Sequence, residues 1–140
     1  HEPQMDELTI PFLTPELAAR QYPFGDLLRA GVTLAAGSDW PVSSPNPIEG
    51  IHVAVNRSVP GADDGRVFLP EQRLDLGTAL VAYTAGSGYV NHRDDSGHVR
   101  TGNVADLVVL DRDLFDGPSS AIAEAKVAET FVGGERVYSR

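Results

Sequence analysis

One short run constrains the fold more than any other part of the chain: Val32-Thr33-Leu34-Ala35-Ala36-Gly37 is uncharged and apolar without alternation. Such a run fits a β-strand covered on both faces, as in a parallel sheet. A strand of that kind needs neighbours along both edges and helices above and below it. The residues just before it predict a short helix over 24–30, with Phe24, Leu27 and Leu28 on one side and Gly31 as its stop. Helix and strand together read as the second half of a βα unit. Ser38-Asp39-Trp40-Pro41 follow at the strand's carboxyl end, the edge where α/β folds bind ligands.

The rest of the pattern is mostly helical up to residue 96. Residues 1–13 read as irregular. Thr14-Pro15-Glu16 predicts a helix start, with a short helix over 15–21 that Pro23 interrupts. Asn46, Pro47 and Glu49 form a capping-box pattern, and Ile48, Ile51, His52 and Val55 then line one face of a helix ending near Arg57. Residues 58–73, rich in Gly, Asp and Pro, read as a long loop, either a lid or rim of a site or a surface insertion. Asp75 is the expected cap of a helix with Leu76, Ala79, Leu80 and Tyr83 at helical spacing, which Gly86 and Gly88 are expected to weaken. The character changes at Gly97. Leu107-Val108-Val109-Leu110-Asp111 reads as a strand, as do 127–132 and 136–138, with Gly133-Gly134-Glu135 as a hairpin turn. The later strands pair among themselves and leave the run at 32–37 without neighbours. A truncated larger α/β fold is the expectation.

Composition removes several functions. The 140 residues are 41% hydrophobic and 22% charged, as in a globular protein. Twenty acidic residues stand against eleven basic ones, Lys126 is the single lysine, and the net charge is -9. A phosphate backbone requires a basic patch, so no nucleic-acid partner is expected. No apolar run approaches the ~20 residues that span a bilayer, so no membrane partner is expected either. The absence of cysteine excludes disulfides, thiolate nucleophiles and Cys-based zinc sites, and fits a cytoplasmic protein.

Asp39 is the foremost candidate for chemistry. A carboxylate fixed at a strand end can ligate a divalent metal or take a proton from metal-bound water. The alternative is an Asp that starts a turn before Pro41 and caps backbone N–H groups. Trp40 would wall a pocket or simply pack. Arg57 would contact a substrate carboxylate, or be a surface arginine or a helix C-terminal charge. The histidines are His1, His52, His92 and His98. They form neither HxH nor HExxH, and no complete His/Asp metal site follows from their spacing. His52, on an apolar helix face, reads as packed rather than ligating. Ser87 lacks the spacing of a nucleophile elbow, and Gly133-Gly134 lacks the lysine of a phosphate loop.

Taken in order, several motifs resemble one family. Gly37-Ser38-Asp39-Trp40-Pro41-Val42 resembles the strand-eight signature of the amidohydrolase superfamily, in its YtcJ-like group, also described as amidohydrolase family 3. Ala79-Leu80 with Ala82-Tyr83-Thr84 resembles the helix that follows. Gly97-His98-Val99 with the stretch from Gly102 through Ala105-Asp106 to Asp111 resembles the return to that family's β-sandwich, with His98 where the family usually has Ser. Thr130 and Gly133-Gly134 resemble its closing strands. The resemblance implies an α/β fold: the C-terminal part of a (β/α)8 metal-dependent hydrolase barrel over 1–96 and the closing strands of a small β-sandwich domain over 97–140. It implies that Asp39 is both a metal ligand and the acceptor of the hydrolytic proton, with the remaining ligands before residue 1. The parent is then expected to use zinc or another divalent metal to cleave a C–N bond in an amide or cyclic amide of a small molecule. The chain alone is expected to hold no metal and to be inactive. A homo-oligomer is left open, and the competing reading is a noncatalytic α+β module used for binding or assembly.

Overall fold

The computed structural model describes residues 8–62 and 64–140; His1 and most of the stretch expected to be irregular lie outside them. The first elements with described bounds are a 3-10 turn at Ile10–Phe12, helix α1 at Pro15–Ala18 and helix α2 at Phe24–Arg29. Helix α1 stops three residues before its expected end. Tyr22 takes the left-handed conformation, φ 49°, and Pro23 follows, so the chain turns there. Helix α2 closes in a Schellman motif: Gly31 sits at φ 80°, its N–H donates to the Leu28 carbonyl, and the Val32 N–H donates to that of Leu27.

Helix α3, Pro47–Asn56, starts where Asn46 accepts the Ile48 N–H at 3.0 Å. Glu49 completes the cap through the Asn46 side chain, accepting from Nδ2 at 3.1 Å, and not through the Asn46 main chain. Helix α4, Leu76–Val81, is capped by Asp75, which accepts the Thr78 N–H and hydroxyl at 2.8 and 2.6 Å. Those bonds hold the Asp75 carboxyl below its ordinary range, the hydroxyl contributing most. The helix then runs through a π-helical turn, Ala82–Gly86, into α5, Ser87–Val90. The glycines therefore do not break it. Gly86 is needed where it stands, because a Cβ there would strike the Leu34 carbonyl and crowd Ala35.

Residues 32–37 are the main correction to the sequence expectation. They run beside the π turn and the start of α5, but among the described residues no strand pairs with them. The Ala36 N–H donates to the Ala82 carbonyl at 2.9 Å, and the Ser87 hydroxyl donates to the Ala36 carbonyl at 3.1 Å. A ladder needs a second strand, and the three strands among the described residues are committed to one another. Burial is incomplete as well: Val32 is 45% exposed.

Those three strands, β1 at Leu107–Leu110, β2 at Val127–Val132 and β3 at Glu135–Ser139, form an antiparallel meander in the order β1-β2-β3. Gly133 and Gly134, at φ 57° and 85°, close the β2–β3 hairpin, as a two-residue turn with both φ positive requires. Asp106 and Ala105 hold that turn by accepting the N–H groups of Gly133 and Gly134. The 3-10 segment Ser119–Glu124 brings Ile122 and Ala125 onto Ile48, Ile51 and Ala79, so one core joins α3 and α4 to the connection between β1 and β2. Burying each of its isoleucines contributes roughly 1.5–3 kcal/mol.

This core is small for the chain. The surface measures 9014 Å² for 15.0 kDa, against about 7,000 Å² for a folded monomer of that mass. Val108, Val109, Val132 and Val137 on the sheet all stand half exposed. No helix among the described residues is long and apolar enough to cross a membrane.

Candidate active site

The segment at 32–37, the start of α3 and the Tyr22 turn enclose a cleft of about 610 Å³. Phe24, Leu27, Val53, Leu74 and Tyr83 give it apolar surface, while Ser38, Asp39, Ser44, Asn46 and Glu49 give it polar surface. Gly50 is what admits the Tyr83 ring, since a Cβ at that position would collide with the phenol oxygen.

Asp39 lies in this lining. Its backbone is left-handed, φ 55°, a conformation that costs most L-residues roughly 1–2 kcal/mol and that Asp and Asn adopt more readily than others. The turn is held without its carboxylate. The Val42 N–H donates to the Asp39 main-chain oxygen at 2.8 Å, the Trp40 N–H donates to Ser38 Oγ at 3.2 Å, and the Ser43 hydroxyl donates to the Ser38 carbonyl. The side chain that a turn-capping Asp would use is thus left facing solvent.

The other two candidates lie elsewhere. Trp40 is 66% exposed and does not line the cleft. Arg57 also lies outside the lining, and it is not a surface arginine. At 1% exposure it is buried, in the left-handed C-cap position of α3, φ 56°. Its Nε donates to the Phe68 carbonyl at 2.9 Å and its Nη1 to the Tyr22 carbonyl at 3.4 Å, with the guanidinium carbon 5.2 Å from the Phe68 ring centre. Its own carbonyl accepts the Phe68 N–H at 2.8 Å.

His52 is buried on α3, as its apolar face predicted, at 2% exposure. Its Nδ1 lies 3.3 Å from Asn56 Nδ2, and its Nε2 has no hydrogen-bond partner among the described residues. Burial pushes its pKa below the ordinary 6.5. Asn56 in turn bonds both polar groups of Ser119: its amide donates to the Ser119 carbonyl, 2.9 Å, and its Oδ1 accepts the Ser119 hydroxyl, 2.6 Å. Among the described residues no three His, Cys, Asp or Glu side chains gather in a group fit for a metal ion. The sequence reading missed Glu49, Asn46 and Tyr83 as cleft residues. Each was already explained by a local role, as a cap or as part of a helix face, and local spacing carries no sign of a second one.

The profile of the amidohydrolase family matches residues 1–138. Protein LONG AFTER FAR-RED 3 of Arabidopsis thaliana is 36% identical over 120 residues, 84% of this chain and 20% of that protein. N-substituted formamide deformylase of Arthrobacter pascens is 31% identical over 85% of the chain and 22% of its own length, and YtcJ of Bacillus subtilis 29% over 81% and 22%. The chain therefore spans about a fifth of the length of these relatives. No solved structure matches it. With a family profile covering nearly every residue, the chain belongs to the amidohydrolase family.

Proposed function

We propose that the full-length protein is a metal-dependent hydrolase that cleaves C–N bonds in small amides or cyclic amides, and that Asp39 is its proton-transferring carboxylate. The observation that carries this is the Asp39 side chain, exposed in the cleft lining while the main chain and two serines hold its turn. The name of one relative, an N-substituted formamide deformylase, supports the chemistry.

The fit to a metal is partial. Asp39 offers a carboxylate of the kind divalent cations take, and no group of three or more His, Cys, Asp or Glu side chains gathers with it among the described residues. When bound, zinc or another divalent metal would polarise the scissile carbonyl and acidify water. Asp39 would accept the proton of the attacking water and return it to the leaving nitrogen. In this reading residues 32–37 are a barrel strand, and the open main-chain edges and part of the excess surface are where neighbouring strands lie.

The test uses the full-length protein with zinc and a panel of N-acyl amino acids, hydantoins and N-substituted formamides. Asp39→Asn is expected to lower kcat/KM by about 10²–10⁴ while circular dichroism and Tm hold. Undiminished turnover by that variant removes Asp39 from the chemistry. Wild-type protein inert to the whole panel would favour the noncatalytic reading.

A further inference from the structure

Three of the non-glycine residues in the left-handed region are Arg57 itself, one residue whose carbonyl its side chain bonds, and one that follows another such residue. Tyr22, Arg57 and Leu69 have φ of 49°, 56° and 48°, and Arg57 bonds the Tyr22 carbonyl as well as both main-chain groups of Phe68, the residue before Leu69. Strained backbone of this kind persists where its surroundings over-determine it, and it gathers at sites whose geometry has to be fixed.

The segments that Arg57 ties together are walls of the cleft. Tyr22 lines it directly. Val59 and Pro60 line it from the start of the loop that the paired Arg57–Phe68 bonds close. A guanidinium is suited to tying such segments, because its planar fork spreads donors over two carbonyls while its face lies on an aromatic ring. We infer that Arg57 is a positioning residue that holds the Tyr22 and 59–60 walls at a fixed separation and so sets how bulky a substrate group the cleft admits.

This rests on the cleft being the substrate site, so the test separates the two. Arg57→Lys and Phe68→Leu are made in the full-length protein. Lysine keeps the charge without the fork, and leucine keeps the main-chain bonds without the ring. Hydrogen exchange, which needs no substrate, is expected to rise at Tyr22 and over 58–69 in Arg57→Lys and to a lesser extent in Phe68→Leu. The ratio of kcat/KM between amides with large and small N-substituents is expected to shift by about tenfold in Arg57→Lys, with the pH profile of kcat unchanged. Unchanged local exchange overturns the clasp. Increased exchange with a uniform loss across all substrates overturns the selectivity role and leaves Arg57 purely structural. A wild-type protein inert to every amide counts against the proposed hydrolase, and the clasp is then decided by exchange alone.

Discussion

Residues 32–37 and strand β1 are nearly alike in composition: short, uncharged, apolar and without alternation. They end in opposite situations. Strand β1 is paired, with Leu107 opposite Phe131 and Val108 opposite Thr130, yet Val108 is 56% exposed. The segment at 32–37 is covered on one side by the π turn and the start of α5, yet no strand among the described residues lies beside it. One run has its ladder and lacks a cover; the other has part of its cover and lacks a ladder. An apolar run therefore states a demand for burial, and whether it becomes a strand depends on what else the chain brings to its edges. β1 finds β2 a short distance downstream, at low loop-closure cost.

The largest expected effect breaks the covered side of this contrast. Gly86→Val places a side chain against the Leu34 carbonyl and Ala35. It should cost about 3 kcal/mol and release 32–37 from the helix. Hydrogen exchange should rise at 34–36, while the amides of β1–β3 keep their protection. Loss of protection across the sheet would show that the two regions unfold as one.

A smaller effect should appear at the seam between them. His52 is buried with its pKa lowered by desolvation, and through Asn56 it is linked to Ser119. The unfolded chain binds this proton near pH 6.5 and the folded one only below that. The contribution is complete above pH 6.5 and is lost as pH falls through the interval down to the folded value. Thermal melts from about pH 7.5 down to about pH 5 should show that loss, and His52→Gln should flatten it. A variant with the wild-type slope would assign the acid sensitivity to other groups.

The smallest effect is expected on the sheet surface. Arg136 bonds Glu129 at 3.1 Å between partly exposed side chains. Arg136→Ala should change stability by about 0.5 kcal/mol or less, as read from denaturant midpoints. A larger change would mean that the pair holds the β2–β3 register, which shifts between Thr130 and Phe131.

What the sequence made legible was local. Asp75 as a cap, the face carrying Leu76, Ala79 and Leu80, and Gly133-Gly134 as a turn all depend on partners within a few residues, where spacing fixes geometry. Asn46 was legible for the same reason, although Glu49 answers it by a different bond than the capping-box pattern implies. Arg57 was not legible, because its partners lie 11 and 35 residues away and nothing at the end of a helix signals which carbonyls will come to meet it. Gly86 was hidden in the same way. A glycine inside a helical pattern reads as a weakness until the segment that needs its missing side chain is known. The cleft was half legible: Asp39 stood out at the end of an apolar run, whereas Glu49 and Tyr83 reach it from helices whose packing no periodicity describes.

The left-handed backbone at Asp39 also bears on how this position can drift over generations. Most replacements would have to carry a Cβ into a conformation they resist, whereas Asn and Gly enter it with little penalty. If Asp39 is the proton-transferring carboxylate proposed above, a lineage released from that chemistry would thus pass first to Asn or Gly and keep its shape. Descendants bearing either residue here should still fold like their ancestors, and would have to be recognised as silent copies by assay.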